Sequence, residues 1–167
     1  GAQMMGWNPN QKTWIGYHDP NIFHIPFPYP WDSEAMKDPK QFFKDGIADL
    51  CSAQGLDPTT DLCGFMLETF QGWGAIFYPS EFVQALSEFS KEHNIVVTFD
   101  EMQSGFGRTG ELFGYMHYDV EPDLLCCGKG ASSGFPLALV LGSAELLDLP
   151  DVGSMSSTHS ANPIVCA

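Results

Sequence analysis

Two charged groups stand where apolar runs end. Asp100 and Glu101 follow Ile95-Val96-Val97-Thr98-Phe99, and Lys129 follows Leu124-Leu125-Cys126-Cys127 with a glycine on either side. The acidic pair fits three roles. It can be the plain acidic end of a strand in an acidic protein. It can hold magnesium in a nucleotide hydrolase, which also needs a phosphate cradle of the form G-x-x-x-x-G-K-[ST]. The Gly128-Lys129 pair lacks both the upstream glycine and the following hydroxyl of that cradle. In the third role, a carboxylate and a lysine at adjacent strand ends face one crevice, as a pyridoxal phosphate enzyme requires. Its lysine holds the cofactor as an imine, and its carboxylate keeps the ring nitrogen protonated so that the ring can accept electrons. Glycines beside Lys129 permit close approach of a bulky group. A lysine leaving a strand end for solvent is the plain alternative.

Other residues add less. Gly105, Gly107 and Gly110 match the dinucleotide pattern G-x-G-x-x-G. The following segment, Phe113 to His117, is too short and interrupted for the long helix of a dinucleotide fold. Arg108, the single arginine, could serve substrate, cofactor or structure. His18, His24, His93, His117 and His159 share no metal-ligand spacing, and no metal is expected. Cys51, Cys63, Cys126, Cys127 and Cys166 form an odd set without a C-x-x-C pair, which makes neither a disulfide framework nor a thiolate zinc site. They read as structural thiols in a reducing, cytoplasmic compartment.

The elements that position these groups follow from periodicity. Residues 1–35 carry prolines at 9, 20, 26, 28 and 30 and are expected to be irregular, a long loop lying on a larger body. A helix is predicted with Asp38 as cap, Pro39 in its first turn, Gln41 at the capping-box position and Gly55 at its end. Gly64 to Leu67 reads as a buried strand ending at Glu68. A second helix begins near Ser80, with Phe82, Ala85, Leu86, Phe89 and His93 on one face. Ile95 to Phe99 is the next strand, and the unit is a βαβ crossover with parallel strands. Leu124 to Cys127 and Leu137 to Leu141 supply two more strands. The fold class is α/β, with a sheet expected to be covered on both faces. Ligands in such sheets lie beyond the C-terminal strand ends, where Glu68, Asp100 and the loop after Cys127 meet.

Composition limits the partners. The 167 residues make one domain or a piece of a larger one, and 44% are hydrophobic, enough for a real core. Seven Lys plus Arg against 21 Asp plus Glu give a net charge of −14. That balance excludes nucleic acid and disfavours anionic membrane surfaces. No apolar run reaches the ~18–20 residues that cross a bilayer.

Four blocks carry a family resemblance. Thr98-Phe99-Asp100-Glu101-Met102-Gln103-Ser104-Gly105-Phe106-Gly107-Arg108-Thr109-Gly110 resembles the aspartate-bearing segment of the class III (omega) aminotransferases. Glu121 to Gly130, continuing through Gly134-Phe135-Pro136-Leu137, resembles their lysine loop. Glu68-Thr69-Phe70-Gln71-Gly72 is similar to their E-P-x-Q-G stretch, and Ser157-Thr158-His159-Ser160-Ala161-Asn162-Pro163 to their S-T-F-G-G-N-P stretch.

The resemblance implies the large domain of a fold type I pyridoxal phosphate transferase, a mostly parallel sheet flanked by helices. It also implies a homodimer with shared active sites. Lys129 would form the Schiff base, Asp100 would pair with the pyridine nitrogen and Gln103 would bond the phenolic oxygen. Thr158 would reach the phosphate bound by the neighbouring subunit, Glu68 would lie close by, and Arg108 would tie the glycine loop to nearby carbonyls or acids. The implied reaction moves an amino group from an amine or amino acid to a 2-oxo acid. An epimerase or decarboxylase of the same fold, and a non-catalytic truncated interaction protein, are the alternatives. Residues 1–35 would be a loop segment of the large domain and 36–167 its central cofactor-binding region, truncated at both ends.

Three departures bear on substrate. Trp73 stands where many relatives carry a glutamate that pairs with an arginine, and its indole offers no charge. Thr69 replaces the proline after Glu68. His159-Ser160-Ala161 replaces F-G-G beside Thr158, so Trp73 and His159 are the candidate substrate-pocket residues.

Overall fold

In a computed structural model, residues 5, 6, 8–13, 16, 18–155, 158 and 160–166 are described. The first long helix, α1 (Pro39–Gln54), starts at the expected cap: the Asp38 side chain accepts the Gln41 N–H at 2.9 Å. The expected capping box is not closed, because the Gln41 side chain donates forward to Asp45 at 2.8 Å. It stops at Gly55, whose left-handed φ of 69° lets its N–H return to the Cys51 carbonyl. The second helix, α2 (Ser80–His93), ends in the same way at Asn94, with φ 56°. Phe82, Ala85 and Leu86 are buried as the periodicity predicts, and Val83, Ser87 and Ser90 are buried with them. The buried face of α2 is therefore wider than a single stripe, because both α1 and the sheet press on it.

The main sheet contains β1 (Gly64–Glu68), β4 (Val96–Asp100), β5 (Leu124–Cys127) and β6 (Leu139–Gly142), in that spatial order. The first three are parallel and β6 is antiparallel to β5. A small hairpin of β2 (Phe70–Gln71) and β3 (Ile76–Phe77) lies between β1 and α2 in the chain. The last strand begins two residues later than the expected Leu137.

Side chains alternate across a strand, so each face of the sheet has its own set. Val97, Phe99, Leu125 and Cys127 are buried in one cluster with Phe43 and Ile47 of α1 and Phe82, Val83 and Leu86 of α2. Phe43 and Phe82 meet edge to face at 5.4 Å. The opposite face differs from the expected two-sided cover. Among the described residues its side chains are half-buried or exposed, Met66 at 43% and Val140 at 49%.

The N-terminal segment also departs from the irregular chain expected for 1–35. Pro9–Lys12 and Ser33–Lys37 each form a short helical turn. The Asp32 carboxylate accepts the Glu34 and Ala35 N–H groups, so the second turn crosses the expected boundary. Between these turns the proline-spaced stretch stays extended and packs on the body through Phe27, whose ring lies 4.6 Å from that of Tyr78.

Candidate functional site

Three parallel strands end on one line. Glu68 of β1 is the register partner of Asp100 of β4, which is in turn the partner of Cys126 of β5. Neighbouring strands lie about 4.8 Å apart, so the two carboxylates are side by side and Lys129 follows just beyond the third strand end. Asp100 is half-buried, and its Oδ1 accepts the Met102 N–H at 2.9 Å. The Glu68 carboxyl is pushed above the ordinary carboxylate range, first by burial and then by the negative charge of Asp100. The Gly72 N–H, 3.4 Å from Glu68 Oε2, and the Lys129 ammonium act against that rise. Lys129 is exposed and lies near Glu68 without a salt bridge to it.

The two loops beyond β4 and β5 interlock, which explains the glycines beside the lysine. A side chain at Gly128 would collide with Met102, and one at Gly130 would come within 3.2 Å of Phe106. Lys129 itself has φ 43° and opens a 3-10 turn, Lys129–Ser132. A left-handed backbone costs about 1–2 kcal/mol for an ordinary residue, so the interlocked loops hold the lysine in a conformation it would not choose alone. Gln103 is half-buried and belongs to the same cluster, since a Cβ at Gly72 would lie 3.3 Å from its Cγ and 3.2 Å from Glu68 Oε1. The Gln103 amide makes no hydrogen bond among the described residues.

The glycine run follows the same packing logic and not that of a dinucleotide loop. Gly105 donates its N–H to the Glu101 carbonyl at 2.9 Å, and a Cβ there would meet that same oxygen. Gly107 and Gly110 take φ 85° and 98° in successive turns, and a five-residue 3-10 helix, Gly114–Tyr118, follows. Arg108 does not make the tie expected of it. It is exposed and enters no salt bridge among the described residues.

The remaining candidates are more dispersed. Trp73 is exposed on the turn between β2 and β3, with its Nε1–H donated to Gln71 Oε1 at 2.9 Å and its ring edge-on to Tyr29 at 6.4 Å. Thr158 is exposed in a turn, and no hydrogen bond joins it to Glu68, Asp100, Gln103 or Lys129. His159 lies outside the described residues. Sequence reasoning paired Glu101 with Asp100 but gave it no role of its own, although its side chain is fully buried, and it passed over Tyr118, which is 2% exposed. Tyr118 Oη donates to the Thr69 carbonyl at 2.5 Å and accepts the Tyr78 N–H at 3.2 Å. The local signal for Glu101 was a hydroxyl three residues on, at Ser104.

Comparison with known proteins agrees with this geometry. The family model described as aminotransferase class-III matches residues 4–167. A probable 4-aminobutyrate aminotransferase of Bacillus subtilis is 37% identical over 164 residues, 93% of this chain and 36% of that protein. A succinylornithine transaminase of Yersinia enterocolitica is 42% identical over 120 residues, 71% of this chain and 29% of that protein. Among solved structures, an (S)-enantioselective omega-transaminase of Thermomicrobium roseum superposes with a TM-score of 0.77 at 26% identity, over 95% of this chain and 36% of its own. The chain thus spans about a third of the length of the relatives it matches. Strand-end carboxylates, a glycine-flanked lysine and a match along nearly the whole chain lead to one conclusion: this chain belongs to the class III aminotransferases.

Proposed function

We propose that the polypeptide containing this chain is a pyridoxal phosphate-dependent aminotransferase, moving an amino group from an amine or amino acid to a 2-oxo acid. The observation that carries the reading is the single strand-end line of Glu68, Asp100 and the lysine loop. The donor set fits the cofactor. Lys129 offers an exposed amine, Asp100 offers Oδ2 free of the Met102 bond, and Gln103 offers an amide with no other partner among the described residues. When bound, the cofactor supplies a conjugated ring into which electrons from the substrate carbon can spread.

Each residue has a part in this reading. Lys129 would hold the cofactor through Nζ, and its amine, when free, would accept the proton from the substrate carbon and donate it again. Asp100 would keep a proton on the ring nitrogen by opposing it with a negative charge. Gln103 would bond the phenolic oxygen, Glu68 would shape the charge beside it, and Thr158 would serve the phosphate of a neighbouring subunit. Trp73 and His159 line the substrate side. A homodimer with shared sites follows from the role given to Thr158, and five free thiols fit a reducing cytoplasm. The named relatives are a probable 4-aminobutyrate aminotransferase and a succinylornithine transaminase, which supports an amino acid as donor. All of these relatives are aminotransferases, so the epimerase, decarboxylase and non-catalytic readings gain no support from them.

The test is chemical. In the full-length polypeptide, borohydride reduction followed by peptide mass analysis should place the cofactor on Lys129, and Lys129→Ala should abolish both that label and amino transfer. A label on another lysine, or no uptake of pyridoxal phosphate at all, would overturn the proposal.

A further inference from the structure

Glu101 is wholly buried beside Asp100, and the chemistry above makes no use of it. Its Oε2 accepts the Ser104 hydroxyl at 2.5 Å and the Gly114 N–H at 2.9 Å, and its Oε1 accepts the Tyr115 N–H at 2.8 Å. Ser104 has one hydroxyl proton, and Glu101 takes it. In its further bond to Thr69 Oγ1, Ser104 must therefore accept and Thr69 must donate. The result is a directed chain from Thr69 through Ser104 to Glu101, closed off from water. Gly114 seals it, because a Cβ there would come within 2.8 Å of Ser104 Cβ and 3.0 Å of Thr69 Oγ1.

The two ends of this chain sit next to the two carboxylates. Thr69 directly follows Glu68, and its carbonyl is held by Tyr118. Glu101 directly follows Asp100, and its own N–H bonds the Cys126 carbonyl at 2.8 Å. Gln103 lies inside the turn that the Glu101–Ser104 bond closes. A proline at position 69, as in the family's block, has no hydroxyl to donate. Here the hydroxyl bond links two strand exits through side chains, where a proline could only stiffen one.

We propose that Thr69 and Glu101 are positioning residues that lock the exits of β1 and β4 together, and so set Asp100 and Gln103 for the cofactor. The proposal rests on the reading of Asp100 and Gln103 given above. A buried network of this kind loses more than one bond when a member is removed, because the others are left without partners.

The experiment compares Thr69→Val, Thr69→Ser and Glu101→Gln with wild type in the full-length enzyme. Pyridoxal phosphate is titrated into the apoenzyme to obtain Kd, and the pH midpoint of the visible absorption band is measured on the loaded protein. Valine keeps the shape of threonine without the donor. It should weaken cofactor binding at least roughly threefold and move the pH midpoint. Serine, which keeps the donor, should restore both. Glu101→Gln should exceed the valine effect, and if it fails to fold, the valine–serine pair still decides. A Thr69→Val protein with a lowered melting temperature but unchanged Kd and pH midpoint would reduce the network to a structural role and overturn the proposal. Borohydride labelling of wild-type Lys129 separates the two failures: label present with no valine effect sinks only this inference, and label absent sinks the reading beneath it.

Discussion

Glu68 and Asp100 are direct register partners at the ends of neighbouring parallel strands, so two carboxylates share one edge of the sheet. Burial and the charge of Asp100 hold the Glu68 carboxyl above its ordinary range, with only the Gly72 N–H and Lys129 opposing.

This raised carboxyl has a consequence for stability. Above the ordinary carboxyl pKa the folded state binds more protons at Glu68 than the unfolded chain does, so stability falls as pH rises through that window. Glu68→Gln removes the penalty. It should raise the melting temperature at pH 7, and the gain should vanish below about pH 4, where both states are protonated. Thermal melts across that range decide it, and an unchanged or lower value at pH 7 would contradict the sign.

Asp100→Asn keeps the size and the bond to Met102 but removes the charge opposite the ring nitrogen. The expected loss in kcat is at least about 10²-fold, on the scale of other preorganised electrostatic contacts. A change below threefold at saturating cofactor would count against the role given to Asp100.

On the proposed function, Trp73 would set the acceptor preference. An indole cannot neutralise an arginine when a monocarboxylate is bound, and a buried unpaired guanidinium costs several kcal/mol. The ring beside Gly72 is exposed, and on the proposed function it would present an apolar surface to the substrate end. Pyruvate or another small 2-oxo acid should therefore be preferred to 2-oxoglutarate, and Trp73→Glu should reverse the order. A panel of keto acids compared by kcat/KM is the measurement, and a tenfold wild-type preference for 2-oxoglutarate would defeat the idea.

Tyr118 joins parts of the chain that lie far apart in sequence. Tyr118→Phe leaves the Thr69 carbonyl and the Tyr78 N–H without their partner, at a cost of about 1–3 kcal/mol. Burial, with a smaller push from Glu101 and against the Tyr78 N–H, raises the Tyr118 hydroxyl to about 12, and burial raises that of Tyr78 as well. Unfolded tyrosines ionise near 10, so stability should fall as pH climbs from 10 towards 12, and less steeply in Tyr118→Phe. Urea unfolding at pH 7, 10 and 11 measures both effects.

Local pattern determined much of this protein. Asp38, Pro39 and Gly55 specify both ends of α1 through bonds that reach only four residues, and the apolar runs before Asp100 and Lys129 specify strands that deliver them to loops. Those signals are short in range, so the residues themselves display them, and the family blocks lie on the same stretches. The register that sets Glu68 beside Asp100 is not local, and neither is the contact of Gly128 with Met102 or the bond from Tyr118 to Thr69. Glu101 shows the limit most clearly. In sequence it is one more acid in a chain of net charge −14, and its role depends on three donors from Ser104, Gly114 and Tyr115. Only folding brings those donors to one carboxylate, because a buried charge is tolerated where its hydrogen bonds are supplied together, and only tertiary contact can supply them.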